Sequence, residues 1–179
     1  MSEDIKPFAL LVEIASRSLS YAKPLPAQID ITPTWTGVGF TMAGQRMVAP
    51  MSEIAELLTV PGATKLPGVE DWVKGVANIR GRLLPLIDLE AFFGLPDISS
   101  RRKRVLSVET RDLYTGLVVG EVFGMQHFPV DCFNPQAPAV AKGVDSFVAG
   151  CYEVEGTTWT VFSPFLLSQD VRFLNAAGA

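Results

Sequence analysis

Few of the residue types that carry catalysis or hold metals are present. The 179-residue chain has two cysteines, Cys132 and Cys151, and one histidine, His127. A structural zinc site draws four Cys or His ligands, and the cysteines lack C-x-x-C spacing, so the composition argues against one. There is no G-x-G-x-x-G after a strand, no G-x-x-x-x-G-K-[ST], no H-E-x-x-H and no G-x-S-x-G. Net positive charge is missing too: the formal charge is −4, which disfavours a nucleic-acid partner. Only Arg101 to Arg104 (RRKR) is locally basic, and following GLPDISS it reads as a solvated loop. No run approaches the roughly 20 apolar residues that cross a bilayer. The start, MSEDIKPFALLVEIA, has an acidic flank and an apolar segment broken by Glu13, unlike a secretory signal. These absences point to a cytoplasmic protein with no membrane insertion of its own, in which both cysteines are small buried or half-buried residues.

The remaining candidates for chemistry are sparse. His127, close to Met125 and Phe128, reads as a packed or rim residue rather than a base. Glu70-Asp71 and Glu53/Glu56 are carboxylate pairs without an identifiable apolar pocket to shift them. No cofactor is implied.

Apolar residues, by contrast, make up 48% of the chain. Phe8, Leu11, Val12, Ala15 and Leu19 recur at helical spacing, which predicts a helix over residues 7–21, with Ser2, Glu3 and Asp4 as start signals and Pro7 in its first turn. A connector through Lys23-Pro24-Leu25-Pro26 runs to Thr34. From Trp35 the sequence turns to short, Gly-punctuated, β-branched segments: WTGVGFTMAG, QRMVAP, VLSVET, YTGLVVGEV and TWTVF. MSEIAELL and LEAFFG are each expected to form a turn or two of helix. Strand signals dominate, so the fold is mainly β, a barrel or sandwich rather than α/β.

The chain also repeats itself. WVKGVANIRGRLLPLIDLEAF lies over FVAGCYEVEGTTWTVFSPFLL without a gap, so that Trp72 meets Phe147, Gly75 meets Gly150, Gly81 meets Gly156 and Ile87 meets Phe162. Upstream, AGQRMVAPMSEIAEL lies over RDLYTGLVVGEVFGM, with Glu53 on Glu121, Ile54 on Val122 and Leu57 on Met125. Two matches in the same order indicate a duplicated β unit and two similar small barrels. Within the first copy, VANIRGRLLPLIDL reads as a hairpin, with Asn78 and Arg80 on one face and Gly81 at the reversal. The second copy keeps the glycine but carries Glu153 and Glu155, so the polar face is free to differ between copies.

The block LPGVEDWVKGVANIRGRLLPLIDLEAFFGLP resembles the signature of CheW-like domains, the coupling modules of bacterial chemosensory systems. The matching features are Pro67-Gly68, Gly75, the N-x-R-G of Asn78 to Gly81, Pro85 to Leu89, and Gly94 to Pro96. VAPMSEIAELL, YTGLVVGEV and FVAGCYEVEG support it, and the resemblance spans about Trp35 to Leu174. It departs at Gly120, where the family usually has Asp, and at Ser163, where it usually has an acid or Asn. The N-terminal helix, WTGVGF and VFSPF look like the family's adaptor of type IV pilus, twitching-motility systems.

The resemblance implies two intertwined five-stranded SH3-like barrels over residues 35–175, preceded by the helix and connector of residues 1–34. It implies a non-enzymatic adaptor that meets the cytoplasmic tip of a methyl-accepting chemoreceptor and the regulatory domain of a histidine kinase, and is recruited through receptors to the inner face of the membrane. The residues it assigns to the receptor surface are Ile54, Glu56, Leu57, Asn78, Arg80 and Gly81. Ile54 and Leu57, three apart, are expected to share an apolar face, and Asp88 to bind a local backbone donor. A flagellar coupling protein remains an alternative, as does a small-ligand-binding or enzymatic barrel that uses the groove between subdomains.

Overall fold

The computed structural model describes residues 7–21, 33–98, 102–110, 113–136 and 138–176. Ser2, Glu3, Asp4, the connector prolines Pro24 and Pro26, and Arg101 lie outside the described residues. The chain divides into two compact units, Met1–Ile31 and Thr32–Ala179. The first contains helix α1 (Pro7–Tyr21), with a Glu13–Arg17 ion pair of 2.9 Å one turn apart. No helix among the described residues is long and apolar enough to cross a membrane.

The second unit is mainly β: β1 (Thr34–Met42), β2 (Gln45–Pro50), β3 (Glu56–Thr59), β4 (Val73–Ile79), β5 (Arg82–Asp88), β6 (Arg104–Glu109), β7 (Tyr114–Val119), β8 (Val122–Pro129), β9 (Phe133–Asn134), β10 (Val148–Val154) and β11 (Thr157–Phe162). Three one-turn helices accompany them, α2 (Leu89–Phe92), α3 (Pro164–Leu167) and α4 (Val171–Leu174). MSEIAELL was expected to be helical. It forms a single 3-10 turn at Met51–Glu53 and then becomes strand β3. The backbone pairing that Glu56 to Thr59 gain against β6 overrides a weak helical period.

The strands form two sheets, ordered β8-β1-β2-β11-β10-β9 and β3-β6-β7-β5-β4. The duplication maps one onto the other: β8, β1, β2, β11 and β10 occupy the places of β3, β6, β7, β5 and β4. The parallel pairs β2–β11 and β5–β7 hold equivalent positions. The β9 pairing of Asn134 with Cys151 has its counterpart in the single bridge from Thr64 to Val76. Each repeat thus lends its first two strands to the sheet completed by the other repeat, and this exchange intertwines the two SH3-like barrels.

Details of the turns repeat as well. Arg80-Gly81 and Glu155-Gly156 both have positive φ at both residues (53° and 84°, 49° and 70°), the two-residue hairpin geometry that suits the strand twist. Gly75 and Gly150 each sit at a register shift. A Cβ on either would meet a carbonyl oxygen, Thr64 O at 2.2 Å or Asn134 O at 2.6 Å.

Burial explains the unbroken apolar runs. Met47 and Ala49 of β2, and Leu106 and Val108 of β6, face a core shared by the two sheets. Their alternating neighbours Val48 and Val105 face a smaller core inside each barrel. Strands buried on both faces lose the apolar–polar alternation of a half-exposed sheet.

Candidate partner-docking site at the β4–β5 hairpin

The site begins with a two-residue turn. Asn78 Oδ1 accepts the Gly81 N–H at 2.8 Å, so this amide closes the reversal that Gly81 makes possible. Arg80 occupies the first turn position at φ 53°. There it donates to Glu56 on β3, with 79% of the Arg80 side chain exposed. Glu56 and Arg80, which are 24 residues apart, are therefore brought together across the closing edges of the barrel.

A second pair lies beside the first. Arg82 donates to both Glu109 oxygens, at 2.9 and 3.2 Å, and its guanidinium stacks 3.9 Å from the Tyr114 ring centroid. Glu56, Arg80, Arg82, Ser107, Glu109 and Tyr114 line a depression of about 250 Å³. Arg82, Glu109 and Tyr114 add to the residues expected from the sequence. Arg82 belongs to the same I-R-G-R run, and a two-residue turn places it one step past the Gly81 reversal, whereas Glu109 and Tyr114 reach the site only through the β6–β7 hairpin.

The other expected residues separate. Ile54 is 8% exposed and belongs to the shared core, whereas Leu57 is 46% exposed. These two do not share a face. On β3 the pleat turns Glu56 and Leu58 inward and Leu57 and Thr59 outward. Glu56 thus meets Arg80 on one face of β3 while Leu57 is exposed on the other, Ile54 packs in the core and Asn78 shapes the turn.

A buried charge cluster lies elsewhere on the same barrel. Lys103, expected in a solvated loop, is a correction: its side chain is 13% exposed and its ammonium meets Asp88 Oδ2 at 3.0 Å, Asp97 at 3.0 Å and Glu90 at 3.5 Å. Asp88 caps α2 through the Ala91 N–H at 3.2 Å, the local donor expected for it. Burial pushes the Asp88 carboxyl up, but the Lys103 hydrogen bond, the Ala91 N–H and the charges of Lys103 and Lys74 outweigh it and hold the group below its ordinary range. Burial likewise acts to lower the Lys103 ammonium, and hydrogen bonds to Asp97 and Asp88 reverse this and raise it. Glu90, 1% exposed, accepts the Ala43 N–H from the β1–β2 turn at 2.9 Å, which ties the two barrels together.

The candidates for chemistry are scattered. On β8, the exposed His127 has its Nδ1 2.9 Å from the hydroxyl of Thr36 on β1. Cys132, expected to be buried or half-buried, is instead exposed, whereas Cys151 is buried as expected, with its thiol pushed up by burial and by the Glu153 charge, away from the reactive thiolate. Among the described residues no His, Cys, Asp and Glu side chains group as a metal site.

Comparison with known proteins returns consistent likenesses. The CheW-like domain profile matches residues 36–172. Over 179 residues the sequence is 50% identical to Protein PilI of Pseudomonas aeruginosa, covering 99% of each chain. It is 25% identical over 88 residues to the chemotaxis protein CheW of Thermotoga maritima, covering 49% of this chain and 58% of that one. Among solved structures, the scaffolding protein TtCheW from Thermoanaerobacter tengcongensis has the same fold, with a TM-score of 0.67 at 24% identity over 77% of this chain and 95% of that one.

Proposed function

The chain belongs to the CheW-like family, and on that premise we propose that it is a non-enzymatic adaptor coupling a methyl-accepting chemoreceptor to a histidine kinase in the system that controls type IV pilus twitching motility. The observation that carries this reading is the 50% identity to PilI along 99% of both chains. That likeness includes the helical unit before residue 36, which the domain profile does not cover.

In this reading the receptor tip docks along the free edge of β3, reaching Leu57 on its outer face and the Glu56–Arg80 pair beside it. Leu57 supplies apolar contact. Arg80 offers a planar fork that a receptor carboxylate or helix-end carbonyls can take over from Glu56. Because the resident ion pair is exposed, breaking it costs about 1 kcal/mol or less, so a partner contact that replaces it has little to displace. The kinase's regulatory domain occupies a second surface, and the adaptor transmits receptor state by binding one signalling state more tightly than the other. It acts in the cytoplasm and is held at the membrane by the receptor.

The test is the autophosphorylation rate of a histidine kinase mixed with receptor signalling fragments. Addition of this protein is expected to make the kinase rate depend on receptor state, with no effect when the receptor is absent. Equal rates with and without the protein, once both partners are shown to be folded, contradict the reading. Coupling only to flagellar receptors and kinase favours the flagellar alternative.

A further inference from the structure

Two donors, a hydroxyl shared between both carboxylate oxygens and a backbone N–H, connect the crossover between the sheets to the end of the chain's second repeat. Glu53 sits in the 3-10 turn Met51–Glu53, where the chain leaves β2 of one barrel for β3 of the other. Its carboxylate accepts from the Ser163 hydroxyl at 3.1 and 3.4 Å and from the Phe165 N–H at 2.8 Å. Ser163 at the same time accepts the Leu166 N–H at 3.3 Å as the cap of α3. The first turn of α3 is thereby satisfied: Pro164 has no N–H, Phe165 donates to Glu53, and Leu166 donates to Ser163.

The equivalent residues of the other repeat make no such link. Glu121, the counterpart of Glu53, forms an exposed pair with Arg102. Asp88, the counterpart of Ser163, caps α2 and faces Lys103 and Lys74. The cap follows the charge of its neighbour, carboxylate toward lysines and hydroxyl toward a glutamate. A serine can cap a helix and donate to Glu53 together, whereas an aspartate at residue 163 would set two carboxylates about 3 Å apart, a repulsive contact.

We infer that Glu53 is a positioning residue for the receptor surface: clasped by Ser163 and Phe165, it fixes the crossover from which Ile54 enters the core and Glu56 and Leu57 are presented. The segment just after Glu53 is held by the Ala55 N–H to Ser107 O bond at 2.8 Å and by the buried Ile54 side chain. Glu53 supplies the remaining anchor, on the β2 side. This inference rests on the docking reading given above.

The experiment pairs amide exchange at Ala55 with titration against a receptor tip, for Glu53→Ala, Glu53→Gln, Ser163→Asp, the double variant Ser163→Asp/Glu53→Gln, and Arg80→Asn. Loss of charge-assisted bonds in Glu53→Ala is expected to speed Ala55 exchange about tenfold or more and to weaken receptor binding several-fold, while far-UV circular dichroism stays unchanged. Glu53→Gln keeps one acceptor oxygen and gives an intermediate effect. Ser163→Asp resembles Glu53→Ala, and the double variant recovers because the glutamine amide donates to the new carboxylate. Unchanged Ala55 exchange in both Glu53→Ala and Ser163→Asp overturns the inference. So does faster exchange with intact binding while Arg80→Asn weakens binding. If Arg80→Asn also binds normally, the docking reading itself has failed and takes the inference with it.

Discussion

Arg80, at the tip of one hairpin, closes an ion pair with Glu56 on a strand 24 residues earlier, from a backbone conformation that arginine does not favour. At φ 53° before Gly81, asparagine is the residue that suits the turn. The local rule is broken at a side chain that is 79% exposed, the pattern expected where a residue is kept for a role other than the turn.

Replacing Arg80 with asparagine is therefore expected to separate the two properties. Arg80→Asn keeps or slightly raises the melting temperature, because the exposed pair contributes about 1 kcal/mol or less and the turn improves. Receptor affinity falls about tenfold, as for a central arginine contact. A thermal melt and a titration on the same sample check both. A variant that loses stability and binding in parallel would show that Arg80 serves the fold alone.

Asn78 gives the opposite pattern. Its side-chain oxygen is taken by the Gly81 N–H, so Asn78→Ala is expected to cost about 1 kcal/mol in urea unfolding and to leave receptor affinity nearly unchanged. A large loss of affinity in a folded Asn78→Ala protein would return this amide to the docking surface.

Gly75→Ala places a Cβ 2.2 Å from Thr64 O at φ 125°. The expected loss is about 2–4 kcal/mol, and Gly150→Ala should behave alike at its equivalent bulge. Gly62 has open space around a Cβ, so Gly62→Ala is the control and is expected to stay within about 0.5 kcal/mol. Chemical denaturation of the three variants measures this directly.

The Asp88–Lys103 pair makes a pH prediction. With its carboxyl held below the usual range, Asp88 contributes stability that is present above about pH 4 and is lost as pH falls through its folded value. Lys103, raised, contributes below about pH 10 and loses its contribution as pH climbs through its folded value. Between these limits the pair is insensitive to pH. Lys103→Met removes the nearest ammonium, costs about 3 kcal/mol, and lets burial push the Asp88 carboxyl up. Lys74 at 3.4 Å offsets part of this. The variant is then expected to gain stability relative to wild type between pH 8 and pH 5, and urea unfolding at both values reads the slope. An unchanged slope would mean that Lys103 does not govern Asp88.

What the sequence revealed and what it hid divide along the range of the interaction. The hairpin at Arg80-Gly81, the cap at Asp88 and the repeat of Gly75 in Gly150 are local signals, and each appears in the structure in the expected place. The exchange of β1 and β2 between barrels depends on the parallel pairing of Met47 and Val48 with Thr160 and Val161, more than 100 residues away, which no local pattern encodes. Ile54 looks like half of an exposed apolar pair because helical spacing and strand spacing agree poorly over four residues; once β3 pairs with β6, Ile54 is in the core and only Leu57 faces out. Lys103 sits in a basic run that reads as solvated, and only the fold brings Asp88, Glu90 and Asp97 around it.

In the function proposed, one molecule holds a receptor and a kinase at the same time through different surfaces. The most direct measurement is calorimetric titration of a receptor's cytoplasmic tip into this protein already saturated with a kinase regulatory domain, for the wild type and Arg80→Asn. The saturated wild-type protein is expected still to bind the receptor tip, and Arg80→Asn to weaken receptor binding while leaving the kinase domain bound. Mutually exclusive binding, or loss of both partners from a folded Arg80→Asn protein, would rule out simultaneous coupling through separate surfaces.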